Sequence, residues 1–357
     1  MALVTDAYGG NGGIAQYNRN FLGALVSCSA ASSIVVVPRH AANGVVTPDL
    51  VQQTAPRPGR VPYAAVALRE ALFRRIDAVF CGHLFMAPLA LLIARFKQAK
   101  LVIQMHGIEA WPRPSRLQRA ATEAADLVLC VSRHTRACVL GWAAMAPERA
   151  VVVPNTVAEG FTPGDGHKLR AGFGVEGKRV LLTIGRMDSR ERYKGHDRVI
   201  VAIPDLVRRG HDIVYVIIGQ GDDRVRLEEV ARDIGVAERV RFLGSVGTRQ
   251  LAEVYRIADL FVMPSAGEGF GIVFLEALAS GTPALGLDFG GARDALAEGE
   301  LGTAVSEKGD LPDAIARLLA EPKPDPNALS QAMRARFGRE VFEAQVGMAI
   351  ERLAQPA

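Results

Sequence analysis

Two successive series of short apolar runs constrain the fold of this 357-residue chain most strongly. The runs are rich in Val, Ile and Leu, and amphipathic stretches separate them, which is the pattern of buried parallel strands joined by helices. The first series comprises Ala2–Thr5, Ser33–Pro38, Ala78–Cys81, Leu101–Met105, Leu127–Val131 and Val151–Val153. The second comprises Val180–Ile184, Val214–Ile218, Val240–Phe242, Leu260–Met263 and Pro283–Gly286. The alternation predicts an α/β protein with two doubly wound parallel sheets.

A stretch rich in Pro, Gly, Asn and Thr, from Pro154 to Gly166, separates the two series and is typical of a linker. We therefore place a first domain at residues 1–160 and a second at residues 161–335. Residues 336–357 have a helical pattern. That pattern does not decide whether they pack on the second domain or back on the first.

The formal net charge of +4 is unevenly divided. Residues 1–160 carry 16 Lys and Arg against 9 Asp and Glu, a net charge of +7, whereas residues 161–357 carry 26 against 29, a net charge of −3. A basic domain beside a mildly acidic one suggests different partners, with solvated surface charge as the alternative.

The remaining composition predicts a soluble protein of a reducing compartment. The four cysteines form no C-x-x-C pair, which predicts buried small side chains in a reducing compartment and no structural zinc site. The longest apolar run, Leu84–Ala94, is about half of the roughly 20 residues that a membrane-spanning helix needs. No export signal is visible, so the expectation is a soluble, cytoplasmic protein.

Ligands of doubly wound sheets bind beyond the carboxyl ends of the strands, and a glycine loop follows the first strand. Gly10, Gly12 and Gly13 let backbone amides approach an anion at the start of a helix. Gly10, Gly12 and Ala15 also match the dinucleotide pattern G-x-G-x-x-A, so a dehydrogenase is one alternative. Arg39 and His40 replace the acidic residue expected after the second strand, and an arginine there would favour NADP.

Two cations follow the first strand of the second domain. Arg186 and Lys194 could clamp a diphosphate, the arginine through its fork and the lysine as a point charge. A solvated loop is the alternative, because the intervening segment is also rich in charge.

Two glutamates follow a later strand with seven residues between them. Glu268 lies in a glycine-rich turn, and Glu276 lies about two turns into the next helix. The neighbours of Glu276 are apolar, which predicts a buried carboxylate that needs partners. Carboxylates at two depths could accept hydrogen bonds from two sugars.

Together these motifs resemble those of the retaining glycosyltransferases of family 4. The resemblance rests on the E-x7-E element Glu268–Glu276, the pair Arg186 and Lys194, and the loop Gly10–Gly13. Pro154–Val157 resembles the family's P-N-G-V signature, and Gly290–Asp294 resembles its G-G-x-x-E. The resemblance implies the GT-B fold, in which two Rossmann-like parallel-sheet domains face each other across a cleft.

The resemblance also implies roles at a donor site for a nucleotide diphosphosugar. Glu276 would hold the ribose hydroxyls, Glu268 the transferred sugar, and Arg186 with Lys194 the leaving diphosphate. The other donor contacts that it implies are Gly12, Gly13, Phe242, Val246, Gly269, Phe270, Gly271, Ile272 and Val273. Because two cations neutralise the diphosphate, neither a metal nor another cofactor is expected.

His106 follows the strand Leu101–Met105. A lone histidine is more often structural, but the resemblance places His106 beside the anomeric centre. It joins Arg186, Lys194 and Glu268 as the expected catalytic set. Retention without an obvious nucleophile suggests front-face displacement, in which the leaving phosphate takes the proton of the acceptor.

The basic first domain is the candidate acceptor domain. Its arginines cluster with apolar side chains at Arg57, Arg60, Leu68, Arg69, Leu72, Phe73, Arg74 and Arg75. A basic amphipathic surface suits an anionic membrane. The expectation is a peripheral enzyme on the inner face of the plasma membrane, acting on a saccharide or lipid-linked acceptor in cell-envelope or exopolysaccharide biosynthesis. No nucleic-acid signature is present, so no nucleic-acid partner is expected.

The donor is a UDP-sugar or a GDP-sugar by this resemblance. The segment Glu191–Asp197 is similar to that of members which transfer mannose in exopolysaccharide assembly, and this favours a mannose donor. Two alternatives are an NADP-dependent oxidoreductase that uses the glycine loop and a non-catalytic binder of sugar nucleotides.

Overall fold

The computed structural model describes residues 1–10, 12–42, 44–306 and 311–354. The chain forms two compact units. Met1–Thr156 and the segment that starts at Arg339 form the first, and Val157–Gly338 forms the second. The structural boundaries therefore follow residues 156 and 338, a few residues from the positions 160 and 335 that the sequence indicates.

The first unit is built on a seven-stranded parallel sheet. Its strands are β1 (Ala2–Val4), β2 (Ile34–Pro38), β3 (Val51–Gln53), β4 (Ala78–Cys81), β5 (Lys100–Met105), β6 (Leu127–Cys130) and β7 (Ala150–Val152). Their order is β3-β2-β1-β4-β5-β6-β7. The helices are α1 (Gly13–Ser27), α2 (Arg60–Phe73), α3 (Ala87–Lys97), α4 (Arg116–Glu123) and α5 (Arg133–Trp142), with short 3-10 helices at Leu84–Met86, Ile108–Ala110 and Pro147–Arg149.

The second unit is built on a six-stranded parallel sheet. Its strands are β8 (Arg179–Ile184), β9 (Ile213–Ile218), β10 (Val240–Gly244), β11 (Leu260–Met263), β12 (Ala284–Leu287) and β13 (Thr303–Val305). Their order is β10-β9-β8-β11-β12-β13. The helices are α6 (His167–Gly172), α7 (His196–Arg208), α8 (Arg224–Asp233), α9 (Thr248–Ile257), α10 (Ile272–Ala279), α11 (Gly290–Ala295), α12 (Leu311–Ala320) and α13 (Pro326–Phe337), with 3-10 helices at Ser189–Lys194, Ala237–Arg239 and Ala297–Gly299.

The central strands are covered on both faces, as their continuous apolar runs predict. Every residue of β9 is buried, and so is every residue of β2. The prediction of two doubly wound parallel sheets is confirmed. The pattern missed β3 and β13, because each has three residues and lies at a sheet edge, where a one-sided apolar run is too short to recognise.

The last helix, α14 (Arg339–Ala354), packs on α1 in the first unit. The rings of Phe342 and Tyr17 meet edge to face with centroids 5.7 Å apart. The hydroxyl of Ser27 donates a 3.2 Å hydrogen bond to Glu343. The predicted helical segment therefore packs on the first unit, and its residues 355–357 lie outside the described residues.

Two further expectations concern the cysteines and the membrane. Cys81 and Cys130 are buried, but Cys28 is exposed and Cys138 is partly exposed, so the prediction of buried cysteines is wrong for Cys28. Cys28 follows the end of α1, where the chain turns into the exposed loop that leads to β2. Within the described ranges, no helix combines the length and apolar character that crossing a membrane requires.

Candidate active site

In the second unit, the two predicted cations lie in the segment that follows β8. Arg186 forms an ion pair with Glu191. The Nζ atom of Lys194 lies 3.4 Å from Oε1 of Glu268 and 3.8 Å from Oε2 of Glu191. Two carboxylates therefore pair with the two cations.

Glu191 is a site residue that the sequence interpretation treated only as part of a charged loop. Its side chain is 15% exposed, as is that of Glu268, whereas Arg186 is 71% exposed. The guanidinium of Arg186 is thus accessible to a ligand, and the mostly buried Glu191 pairs with it. A helix pattern could not have indicated this pairing, because the segment forms an irregular 3-10 helix with Glu191 out of helical geometry.

The loop that carries Glu268 is held by its neighbours. The Ser265 hydroxyl donates a 3.2 Å hydrogen bond to Oε1 of Glu268, and the backbone N–H of Gly291 donates to the Glu268 carbonyl at 2.8 Å. A Cβ atom at position 291 would lie 2.0 Å from the carbonyl oxygen of Gly269. The element Gly290–Asp294 therefore allows this loop to pack directly against the start of α11.

Glu276 lies in α10, but that helix begins at Ile272, so Glu276 is its fifth residue. The predicted depth of two turns is therefore wrong, because Gly271, with a φ of 91°, turns the chain into the helix only at that point. The prediction of burial is confirmed, since Glu276 is 5% exposed. Burial raises the pKa of Glu276 to about 7, and a hydrogen bond from Tyr255 partly opposes this shift.

Tyr255 is a second residue that the sequence did not indicate. It lies in α9, and its hydroxyl donates a 2.8 Å hydrogen bond to Oε2 of Glu276. The contact joins residues 21 positions apart, so no local pattern could reveal it.

Three predicted contacts lie at the start of α10. Ile272 and Val273 are partly exposed and lie in its first turn, where backbone N–H groups have no partner within the helix. Phe270 is buried, and its ring packs against Phe337. Any contact of Phe270 with a ligand therefore comes from its backbone.

Phe242 and Val246 lie at and beyond the end of β10, and both are partly buried. The Arg224 guanidinium lies 5.5 Å from the centre of the Phe242 ring. The Gly219 N–H donates to the Gly244 carbonyl at 2.8 Å, which joins the end of β9 to that of β10. Because β8, β9, β10 and β11 are parallel neighbours, the second unit brings its predicted site residues to one edge of one sheet.

In the first unit, Gly12 and Gly13 are exposed at the start of α1. Gly12 has a φ of 88°, and a Cβ atom there would have no neighbour within 4 Å among the described residues. The Arg19 guanidinium donates 2.8 Å hydrogen bonds to the carbonyls of Ala7 and Gly10, which fixes the loop. Asn11, in the middle of this loop, lies outside the described residues.

His106 lies beyond β5, with its ring held in place. Its Nε2 lies 2.9 Å from the carbonyl oxygen of Gly82, and its backbone N–H donates a 2.5 Å hydrogen bond to Glu109. Because a carbonyl only accepts, Nε2 carries the proton and Nδ1 carries the lone pair. Burial lowers the pKa of His106 to about 4, so the ring is neutral at pH 7.

His83 is a neighbour that the sequence interpretation missed. It follows β4 at the same sheet edge, and its ring centroid lies 6.2 Å from that of His106. Burial lowers its pKa to about 4; the Glu109 carboxylate partly opposes this shift, and His106 and Arg39 add smaller effects in the same direction as burial. The rule that ligands lie beyond strand ends would have found this residue. Across the described ranges, no three His, Cys, Asp or Glu side chains come together so that they could hold a metal ion.

The fold and the donor-like arrangement of the second unit define a glycosyltransferase of the GT-B class. The model of the family described as Glycosyl transferases group 1 matches residues 167–336, and that of Glycosyltransferase Family 4 matches residues 11–159. The chain is 30% identical over 353 residues to the GDP-mannose-dependent alpha-(1-6)-phosphatidylinositol monomannoside mannosyltransferase of Mycobacterium tuberculosis, covering 90% of this chain and 89% of the relative. This protein therefore belongs to glycosyltransferase family 4.

A further relative agrees with this assignment, and two solved structures share the fold. The D-inositol 3-phosphate glycosyltransferase of Gordonia bronchialis is 36% identical over 184 residues, which cover 48% of this chain and 40% of the relative. The crystal structure of Anabaena HepE with UDP has a TM-score of 0.79 at 18% identity, covering 98% and 99% of the two chains. Sucrose-phosphate synthase from Thermosynechococcus elongatus has a TM-score of 0.79 at 21% identity, covering 99% and 98%. The family assignment replaces the oxidoreductase alternative.

Proposed function

We propose that this protein transfers a hexose from a nucleotide diphosphosugar to a saccharide or lipid-linked acceptor in cell-envelope biosynthesis. The preferred hexose is mannose, and the transfer retains the configuration at the anomeric carbon. One observation carries the proposal. A nearly buried lysine, Lys194, contacts Glu268 at the same sheet edge as Arg186 and the buried Glu276. Cations for a diphosphate and carboxylates for sugar hydroxyls thus lie together in one unit.

The assignment of the donor groups follows from charge and burial. Among the described residues, the Tyr255 hydroxyl donates to Glu276, and a buried carboxylate gains from further donors such as the ribose hydroxyls. Arg186 and Lys194 would bind the diphosphate and neutralise the charge that develops as it leaves. We infer that the reaction needs no metal, so chelation with EDTA should leave turnover unchanged.

A GDP-mannose donor is supported by the name of the Mycobacterium tuberculosis relative, which is GDP-mannose-dependent. That relative acts on a phosphatidylinositol monomannoside, and the Gordonia relative is named for D-inositol 3-phosphate. We propose a related acceptor here, one with a hydroxyl-rich ring close to a phosphate.

The role proposed for His106 is to hold a hydroxyl of the transferred sugar. A ring whose pKa is about 4 is a weak base, so it is poorly suited to remove the proton of the acceptor. Its unprotonated Nδ1 can instead accept a hydrogen bond. The proposed front-face mechanism then leaves the acceptor proton to the departing phosphate.

The test of the proposed donor is thermal unfolding with GDP, UDP, GDP-mannose and UDP-glucose. A ligand at 100 times its Kd adds about 2.7 kcal/mol to the free energy of unfolding. The proposal predicts the largest shift with GDP or GDP-mannose, and mannose transfer to an inositol-containing acceptor. Absence of a shift with every nucleotide would exclude the donor site, and a shift without turnover would identify a non-catalytic binder.

We also propose that α2 attaches the first unit to an anionic membrane. The exposed apolar side chains of Val61, Leu68 and Leu72 share one face at helical spacing, and Phe73 is exposed at the last residue of the helix. Arg57 and Arg60 are exposed beside them. Arg69 and Arg74 share the carboxylate of Glu70, each at 2.8 Å, so part of the basic cluster is neutralised within the protein.

Vesicle flotation tests this attachment. The double variant Leu72→Asp with Phe73→Asp should lose binding to vesicles that contain phosphatidylglycerol at low salt. A matched control, Val201→Asp with Val225→Asp, changes two exposed apolar residues in the second unit. Equal binding by both variants would exclude α2 as the attachment surface.

A further inference from the structure

Arg39 is a charged residue at the carboxyl edge of the first sheet that the proposed donor site does not use. It follows β2, and its backbone N–H is fixed by the end of β1, donating to the carbonyls of Val4 at 3.1 Å and Thr5 at 3.0 Å. The backbone of Arg39 is therefore fixed by hydrogen bonds to residues at the end of β1, a central strand of the sheet.

The guanidinium of Arg39 lies against an aromatic ring rather than a carboxylate. Its Cζ atom is 5.2 Å from the centre of the Phe85 ring, and Phe85 is 41% exposed. One Nη2 hydrogen bond reaches the Pro58 carbonyl at 2.6 Å. Among the described residues, no carboxylate forms an ion pair with Arg39, and its buried Nε has no hydrogen-bond partner.

This arrangement leaves a positive charge and a buried donor unused. A buried N–H without an acceptor is costly, and a guanidinium on an aromatic face keeps its full charge. Arginine presents its N–H groups as a planar fork that matches the oxygens of a phosphate. Arg39 as a whole is partly exposed, so its charge remains available to an anion from outside the chain.

The acidic groups nearby are engaged elsewhere. Oε1 of Glu109 accepts the backbone N–H of His106, and Asp6 accepts the Thr5 hydroxyl at 3.1 Å. His83 packs on the Phe85 ring with centroids 4.4 Å apart, and it is neutral because burial lowers its pKa. Among the described residues, neither of these carboxylates forms an ion pair with Arg39, so its guanidinium has no counter-ion in direct contact.

We propose that Arg39, Phe85 and His83 form an anion subsite that binds a phosphate group of the acceptor. This inference rests on the proposed function, and it names a chemical feature of the acceptor. His83 lies between Phe85 and His106, with its ring 6.2 Å from that of His106. The subsite therefore adjoins the proposed catalytic histidine through the His83 ring, which suits a phosphate carried near the hydroxyl that reacts.

The binding test needs no donor. Isothermal titration with D-inositol 3-phosphate, with myo-inositol as the neutral counterpart, measures the contribution of the phosphate directly. The variant Arg39→Gln should weaken binding of the phosphorylated probe by about 10-fold or more, because a charge-assisted hydrogen bond is lost. Arg39→Lys should restore part of it, and the exposed Arg95→Gln should bind as the unchanged protein does.

Vesicles distinguish a free phosphate from a lipid headgroup. If the headgroup is the natural ligand, phosphatidylinositol vesicles in phosphatidylcholine bind and the soluble probe does not, and Arg39→Gln weakens the vesicle binding. The GDP shift in thermal unfolding should be equal in all variants, which reports folding and the donor site separately. Equal affinity of Arg39→Gln and the unchanged protein for both probes would overturn the anion subsite, whereas failure of every nucleotide to bind would overturn only the proposed donor function.

Discussion

The hydroxyl of Tyr255 donates a 2.8 Å hydrogen bond to Oε2 of Glu276, and both side chains are buried. This bond stabilises the ionised carboxylate and so opposes the rise in its pKa. It also fixes the carboxylate on α10. Tyr255 is thus a positioning residue for the group that we assign to the ribose.

The variant Tyr255→Phe should weaken GDP binding. Loss of one buried hydrogen bond of about 0.5–1.5 kcal/mol corresponds to a loss of roughly 2-fold to 10-fold in affinity. Calorimetric titration measures it. Tyr215→Phe is the matched control, because it removes the 2.7 Å hydrogen bond to Thr183. If both variants weaken GDP binding equally, the cause is a loss of protein stability and not a change in the position of the Glu276 carboxylate.

GDP binding should strengthen as the pH rises through 7. Ribose hydroxyls donate to an ionised carboxylate, and burial raises the pKa of Glu276 to about 7. Affinity should therefore rise by about 10-fold from pH 6 to pH 8, because each pH unit below the pKa removes up to tenfold of the ionised form. In the variant Glu276→Gln this dependence of GDP affinity on pH should disappear. Any pH dependence that remains comes from the ionisation of GDP itself, which is the same for both proteins.

The raised pKa of Glu276 has the opposite effect on the free energy of unfolding, which falls as the pH rises. Between the ordinary carboxyl pKa of 4.5 and about 7, the folded chain retains a proton that the unfolded chain has lost. The stabilisation from Glu276 is therefore complete below about pH 4.5 and disappears as the pH rises to 7. Glu276→Gln should show a flatter dependence of the free energy of unfolding on pH in this window.

The variant Glu191→Gln should bind GDP more tightly than the unchanged protein. Glu191 pairs with Arg186 and lies 3.8 Å from Nζ of Lys194, so it competes with a diphosphate for both cations. Because Arg186 is largely exposed, the gain should be modest, about 3-fold to 5-fold. Weaker binding would instead indicate that Glu191 positions the cations for the ligand.

The variant His106→Ala should lower turnover by on the order of 100-fold with little effect on the thermal shift that GDP produces. The ring that we assign to the transferred sugar is removed, whereas the nucleotide contacts in the second unit remain. Because His106 also packs against Tyr17, circular dichroism should verify the fold of the variant. Near-normal turnover would exclude the catalytic assignment.

The sequence predicted the interior of the fold and the strand-end motifs, but not the contacts that connect them. Buried strands such as β9 are recognisable because burial on both faces requires a continuous apolar run. Short edge strands such as β3 carry no such requirement. The sequence predicts Arg186, Lys194, Glu268 and Glu276 as site residues because glycine-rich turns and strand ends mark them.

The partners of those residues could not be identified in the same way. Tyr255 reaches Glu276 from another helix, and Glu191 acts from an irregular turn. His83 could have been found by its place after β4, since the rule that identified His106 applies to both. Side chains that support a site from other elements depend on packing, which a single sequence does not display.

The placement of α14 on α1 means that the first unit is discontinuous in sequence, with the whole second unit inserted between two parts of it. Neither of these two parts of the chain contains the whole first unit. Expression of residues 1–156 alone would leave the apolar side of α1, including Tyr17, without its covering helix. A covalent fusion of residues 1–156 to the segment from Arg339 is therefore the minimal design for isolating the first unit.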